Sequence, residues 1–257
     1  MFSLGIYLQG LALVCLAVVC AWLVSLYKRD VSIIDALWPL MFLLLAFADL
    51  RGVATVGRRA ALVLALVAVW ALRLSIYITW RNWGHGEDRR YQAIRARNQP
   101  GFAAKSLYLV FALQALLAWI ISAPLHGAIL SDTTLGWGDA LGTGLWAVGF
   151  AFEAGGDWQL ARFKAQASNR GKVMDRGLWR YTRHPNYFGE FSIWWGYYAI
   201  AVAGGAWWSV WGPLVMSVLL LRVSGVTLLE KDIGERRPAY ADYIRRTNAF
   251  FPGSPKR

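Results

Sequence analysis

Residues 177–190 read GLWRYTRHPNYFGE, and their types and spacing could hold an anionic cofactor. Arg180, Arg183 and His184 bring positive charge and hydrogen-bond donors, Asn186 brings an amide, and Glu190 brings a carboxylate one helical turn further on. Pro185 fixes its own φ, restricts His184 and suits the first turn of a helix. It would deliver Asn186 to a helix N-terminus, where free N–H groups favour an anion. An amide donates and accepts at once, which matches a carboxamide such as that of nicotinamide. The chain then turns apolar, as FSIWWGYYAIAVAGGAWW. A cationic loop thus runs straight into a hydrophobic helix.

The residues before this stretch reinforce the charge. Arg162, Lys164, Arg170, Lys172, Arg176, Arg180 and Arg183 crowd into 159–186, opposed by Asp175 alone. Phosphate groups need such neutralisation, and arginine offers them a two-pronged donor. Charge alone fits equally well a bias of cations towards one membrane face and attraction to anionic lipid. The fixed spacing of RHPNYFGE carries more weight than the count.

The elements that must position these residues are read from hydropathy. The 257 residues are 57% hydrophobic, with 15 tryptophans and a mean hydropathy of +0.39. Soluble domains are less apolar, at roughly 45–50%. Apolar blocks at 2–27, 31–50, 60–80, 106–130, 140–158, 187–203 and 208–230 are expected to be seven transmembrane helices, in a single all-α membrane domain with a polar tail at 231–257. Pro124 is expected to break the fourth block near its end. Counting Lys and Arg in alternate loops gives 22 on one side and 3 on the other. The positive-inside rule then puts the N-terminus outside and the C-terminus in the cytoplasm, across the inner membrane in a bacterium. Trp80, Trp83, Trp194, Trp195 and Trp207 near span ends suit interfacial anchors. The basic segments 81–105 and 159–186 and the tail would share the cytoplasmic face, and the tail reads as a solvated helix or as a lid or floor of the cofactor site.

Cys15 and Cys20 lie in an apolar run, and His85, His126 and His184 lack ligand spacing, so neither a disulfide nor a metal site is expected. The net charge of +12 lies between apolar blocks, which argues against nucleic acid as a partner. No G-x-G-x-x-G follows a strand pattern, so any dinucleotide site belongs to the membrane bundle. Asp35, Arg73, Glu153, Asp157, Glu190, Arg222 and Glu230 fall within or at the ends of apolar spans. A central Asp, Lys or Arg costs about 2.5–3.5 kcal/mol on insertion scales, so these groups should pair or line a polar cavity. Trp70, Arg73, Tyr77 and Arg81 share one stripe of span three, which is expected to face Asp35 and Trp38 of span two.

GLWRYTRHPNYFGE resembles the C-terminal signature of the steroid 5α-reductase superfamily in its bacterial branch, and sterol C14- and Δ7-reductases carry a similar RHPNY core. The resemblance is strongest over 157–190 and 240–252. It implies a seven-helix membrane fold that binds NADPH from the cytoplasmic side and delivers a hydride to the β-carbon of a conjugated enone, typically a Δ4-3-oxosteroid. Aligned without gaps back from Asn186, the chain is similar to the steroid enzymes at Asp157, Asn186 and Glu190, and Arg222 matches an arginine of the last span. The two arginines that hold the cofactor phosphates there fall on Lys164 and Lys172. The family's span-two glutamate lies near Asp35, and its span-three tyrosine falls on Trp70, with Tyr77 two turns along.

Hydride transfer builds negative charge on the enone oxygen, which needs a donor. Asp35, kept protonated by burial, would polarise that oxygen with Tyr77 or the Trp70 indole. Asn186 and Glu190 would orient the nicotinamide, with Asp157 and His184 beside them. Arg162, Lys164, Lys172 and Arg183 would hold the phosphates. An apolar steroid or lipid-like enone would enter from the bilayer. Isoprenylcysteine carboxyl methyltransferases share an RHP-x-Y-x-G motif and use S-adenosylmethionine, which carries no phosphate. A lipid-binding bundle without catalysis is the remaining reading.

Overall fold

The computed structural model describes residues 2–223, 225 and 238–256. Glu230, the end of the seventh expected span and the tail up to residue 237 lie outside the described residues. Every regular element among the described residues is helical. The chain divides into two compact units, Met1–Gly136 with Ala201–Ser209, and Trp137–Ile200 with Val210–Arg257.

The first unit holds α1 (Leu4–Lys28), α2 (Ile33–Asp49), α3 (Arg58–Asn82), α4 (Arg89–Arg97), α5 (Phe102–Ser106), α6 (Leu113–Ile121) and α7 (Ala123–Ile129). A π-helical segment, Leu107–Ala112, joins α5 to α6. Helix α2 packs against both α1 and α3. A Cβ on Gly10 of α1 would lie 3.0 Å from Leu45 Cδ2, so glycine sets that approach. Pro39 inside α2 lacks the N–H that would close a helical bond. The Ser75 hydroxyl of α3 donates to the nearby Ala36 carbonyl at 2.8 Å, supplying a donor beside the break. Trp70 of α3 is fully buried, with its ring 5.7 Å from that of Phe42 on α2.

Two polar knots close the far end of this unit. Arg59 is buried and donates to the Ser131 hydroxyl (2.9 Å) and to the carbonyls of Thr133 (3.0 Å) and Thr134 (2.8 Å). His126 Nδ1 meets Asp49 Oδ1 at 2.7 Å, and its Nε2 accepts from the Ser3 N–H at 3.3 Å. Both are buried ion or dipole pairs with their polar atoms satisfied, as a low-dielectric interior demands.

The second unit holds α8 (Trp137–Ala165), α9 from Pro185, α10 (Trp211–Val218) and α11 (Pro238–Arg246). Helix α9 runs Pro185–Ala203, and its last turn belongs to the first unit. A second π-helical segment, Leu219–Val223, follows α10. Glycines seven residues apart on α8 meet α9. A Cβ on Gly142 would lie 2.7 Å from the Gly196 carbonyl oxygen, one on Gly149 2.6 Å from that of Gly189, and one on Gly156 3.0 Å from Pro185 Cγ. Backbone thus touches backbone along this seam, the close approach that small residues permit between membrane helices.

Among the described residues, four helical stretches are long and apolar enough to cross a membrane: Leu4–Lys28, Ile33–Gly52, Arg58–Asn82 and Phe102–Ile121. The fourth expected span therefore ends at Ser122, where α6 gives way to α7 with Pro124 in its first turn. Helices α8 and α9 have 29 and 19 residues, enough length at about 1.5 Å per residue, but their Gly, Asn, Glu and Asp lower their apolarity. Trp207–Val223 is a shorter apolar helix. Among the expected anchors, Trp80, Trp83 and Trp207 are exposed, whereas Trp194 is fully buried and belongs to the core.

Candidate functional site

In the second unit the RHPN stretch is built as its sequence suggests. Pro185 is the first residue of α9, and Asn186 follows in the first turn. Gly156 brings α8 against that turn, and the Asn186 amide donates to Asp157 Oδ1 at 3.3 Å. Asp157 and Glu153 of α8 are buried, and Glu190 is half-buried one turn along α9. His184 is buried, its ring stacked on Tyr187 at 5.5 Å.

The preceding loop is fixed from both sides. Gly177 has φ +58°, and a Cβ there would sit 2.5 Å from Gln159 Oε1. That same oxygen accepts the Leu178 N–H at 2.9 Å. The Trp179 indole donates to the Gly156 carbonyl at 3.0 Å, and the Tyr243 hydroxyl of α11 donates to the Trp179 carbonyl. The tail then runs beside the motif. Thr182 Oγ1 donates to the Phe250 carbonyl at 2.7 Å, and the Arg183 N–H to that of Asn248 at 2.9 Å.

Arg183, expected at a cofactor phosphate, is 6% exposed and turns its Nη1 to the carbonyls of Thr247 (2.5 Å) and Ile244 (3.1 Å). It anchors the tail, because a buried guanidinium must find acceptors and the last carbonyls of α11 supply them. Helix α11 is amphipathic: Arg245 and Arg246 are exposed, while Tyr243 and, beyond it, Thr247 and Phe250 are buried. Arg162, Lys164 and Lys172 are exposed, with Arg162 5.4 Å above the Trp158 ring. Arg222 is exposed within the second π-helical segment.

A separate polar cluster forms in the first unit around Asp35, in the first turn of α2. Tyr91 of α4 donates its hydroxyl to Asp35 Oδ1 at 2.6 Å, and Arg90 donates Nη2 to Oδ2 at 2.7 Å. Gln114 of α6 donates to the Tyr91 oxygen at 3.1 Å. The segment that carries Tyr91 is pinned to the start of α2. Asp88 caps α4 by accepting the Arg90 N–H (2.8 Å), and its own N–H reaches Ser32 Oγ (2.7 Å). Glu87 accepts the Val31 N–H at 3.0 Å and a two-pronged pair from Arg95 at 2.8 and 2.7 Å.

Charges around the cluster shift accordingly. Burial and the neighbouring Asp35 charge push the Tyr91 phenol well up, so it keeps its proton at neutral pH. Burial alone would raise the Glu87 carboxyl, but the Arg95 hydrogen bonds and charge and the Val31 N–H outweigh it and hold it below the usual range. The same contest holds Asp88 low through Arg90.

Asp35 was expected to donate a proton. The Asp35 carboxyl group meets the Tyr91 hydroxyl on one oxygen and the Arg90 guanidinium on the other, so Tyr91 joins it as a second proton-bearing group. Sequence reading missed Tyr91 because 56 residues separate the pair. A tyrosine three residues after a helix-capping Asp, in a polar segment, gives no signal of a partner in an apolar span. Tyr77 lies 6.1 Å from the Trp80 ring with Arg81 5.7 Å from its own centroid, and Trp70 packs in the core.

Set beside known proteins, the chain is similar to an uncharacterized protein of the fission yeast Schizosaccharomyces pombe, C594.04c, at 26% identity over 90% of this chain and 75% of that one. No solved structure matches it. Residues 21–247 match the family described as "Protein of unknown function (DUF1295)", and the chain therefore belongs to that family.

Proposed function

We propose that this protein is a membrane-embedded, NADPH-dependent reductase of a conjugated C=C bond in an apolar enone, a Δ4-3-oxosteroid or a lipid of like chemistry. The observation that carries the reading is the first turn of α9, where Asn186 is held by Asp157 at the positive end of a helix. An amide that gives one N–H to Asp157 keeps a donor and an acceptor for a carboxamide. Exposed Arg162, Lys164 and Lys172 supply positive charge for phosphates in the same unit. NADPH, when bound, supplies the hydride.

The chain's own residues have separable tasks. Asn186, with Asp157 behind it and Glu190 one turn on, orients a carboxamide. The Tyr91–Asp35 pair holds a proton for the oxygen on which negative charge develops, and the Tyr91 hydroxyl, which rests on Asp35 with Gln114 behind it, must turn from Asp35 to donate it. Arg90 donates to the other Asp35 oxygen at 2.7 Å and holds the carboxyl group in place beside Tyr91. The charge bias between loops supports a cytoplasmic face for the basic segments.

The test is thermal stability of the detergent-purified protein with NADPH or S-adenosylmethionine, since a ligand that binds the folded state must raise it. We expect a shift with NADPH that Asn186→Ala removes. A shift with S-adenosylmethionine alone would make the protein a methyltransferase, and no shift with either would favour a lipid-binding bundle.

A further inference from the structure

A concavity of about 450 Å³ opens in the second unit between the loop 175–180 and the C-terminal segment. Its wall includes Arg176, Arg180, Arg246 and Lys256, against the single carboxylate of Asp175. Asp175 lies 3.7 Å from Arg246, whose Nε also donates to Asp242 at 2.7 Å. Among the described residues, the side chains of Arg176, Arg180 and Lys256 enter no ion pair or hydrogen bond.

That pattern differs from the cations around Asp35, where Arg90 and Arg95 each hold a carboxylate. Like charges gathered at one hollow repel, and an anion between them removes the repulsion. The hollow is also rigid. Gly177 and Trp179 fix the loop, the Gly253 N–H binds the Tyr181 carbonyl at 3.1 Å, and the Lys256 N–H binds that of Arg246 at 2.8 Å. With the backbone already tied down, an arriving anion has only side chains left to order. Tyr181 and Phe251 stand exposed on the same two segments, a mixture of aromatic and cationic side chains that suits a lipid interface.

We propose that this hollow is a phosphate-binding site, distinct from Arg162, Lys164 and Lys172, and filled by the headgroup of an acidic phospholipid or by a soluble phosphate ester. The site does not depend on the reductase reading.

The full chain is placed in nanodiscs of phosphatidylcholine, with or without phosphatidic acid. Retained lipid is read by native mass spectrometry and stability by thermal unfolding. Arg176→Ala/Arg180→Ala is compared with Arg89→Ala/Arg97→Ala, which removes two exposed cations remote in sequence from the hollow. A cation near an acidic lipid surface contributes about a fivefold factor, so the first variant should bind phosphatidic acid roughly 25-fold more weakly while the second keeps wild-type binding. Inorganic pyrophosphate added to pure phosphatidylcholine discs tests the soluble source. If it stabilises the wild type and not Arg176→Ala/Arg180→Ala, and phosphatidic acid shows no such dependence, the occupant is a soluble phosphate. Equal loss in both variants would mean diffuse surface charge and would overturn the site, as would binding unchanged in both or absent from the wild type.

Discussion

Tyr91 and Asp35 carry the proposed chemistry at the scale of single residues. A phenol that donates to a carboxylate at 2.6 Å, and is pushed up by burial, stays protonated and directed. Tyr91→Phe keeps the ring and removes the donor. In the proposed reduction, enone turnover should fall about 100- to 1,000-fold, the usual cost of removing one donor to a developing oxyanion, and the unfolding temperature should drop as well because Asp35 loses a buried partner. Equal turnover in wild type and variant would exclude Tyr91 as the proton carrier. Glu87 gives a pH signature. Its carboxyl is held low by Arg95, so its contribution to stability is present above the ordinary glutamate pKa and lost as pH falls through the lowered folded value. Glu87→Gln should therefore be less stable than wild type at neutral pH, and the gap should close in acid, as read by unfolding temperature across a pH series.

The glycine seam between α8 and α9 is the element-scale feature on which the α9 start depends. It presses Gly156 against Pro185 and so sets the distance from Asp157 to Asn186. Gly149→Ala would drive a methyl to 2.6 Å of a backbone oxygen that cannot turn aside. We expect a loss of about 1–3 kcal/mol, seen as a lower unfolding temperature. Gly144→Ala on the same helix meets nothing within 4 Å and should be neutral or slightly stabilising. If the two variants behave alike, the seam is not what holds these helices. The tail is the second such feature, since Arg183, Thr182 and Trp179 all bind it through backbone oxygens or the Tyr243 hydroxyl.

For the whole molecule, the distribution of 22 cations against 3 in alternating loops makes a prediction about orientation. With Cys15 and Cys20 replaced by serine, Thr55→Cys should react with an impermeant maleimide in intact cells. Gln166→Cys should react only after the membrane is opened. Labelling of both from outside would defeat the seven-span topology. Membership of the DUF1295 family extends over residues 21–247, so both polar clusters fall inside the matched region.

The sequence by itself determined the apolar helices, because about 18 or more predominantly apolar residues leave a chain few choices in how to satisfy its backbone. It determined the start of α9 as well, because proline acts on its own φ and its neighbour's without help from distant residues. The glycine seam was legible only as a Gly-rich block, since a spacing of seven becomes a contact surface only when a second helix with matching gaps lies against it. Arg183 looked like a phosphate ligand until the tail folded back and offered it carbonyls. Tyr91 and Asp35 were unrelated letters 56 positions apart. Periodicity and turn chemistry act over a few residues, whereas a hydrogen bond between distant side chains exists only once packing has fixed both backbones, and that the tertiary structure alone decided.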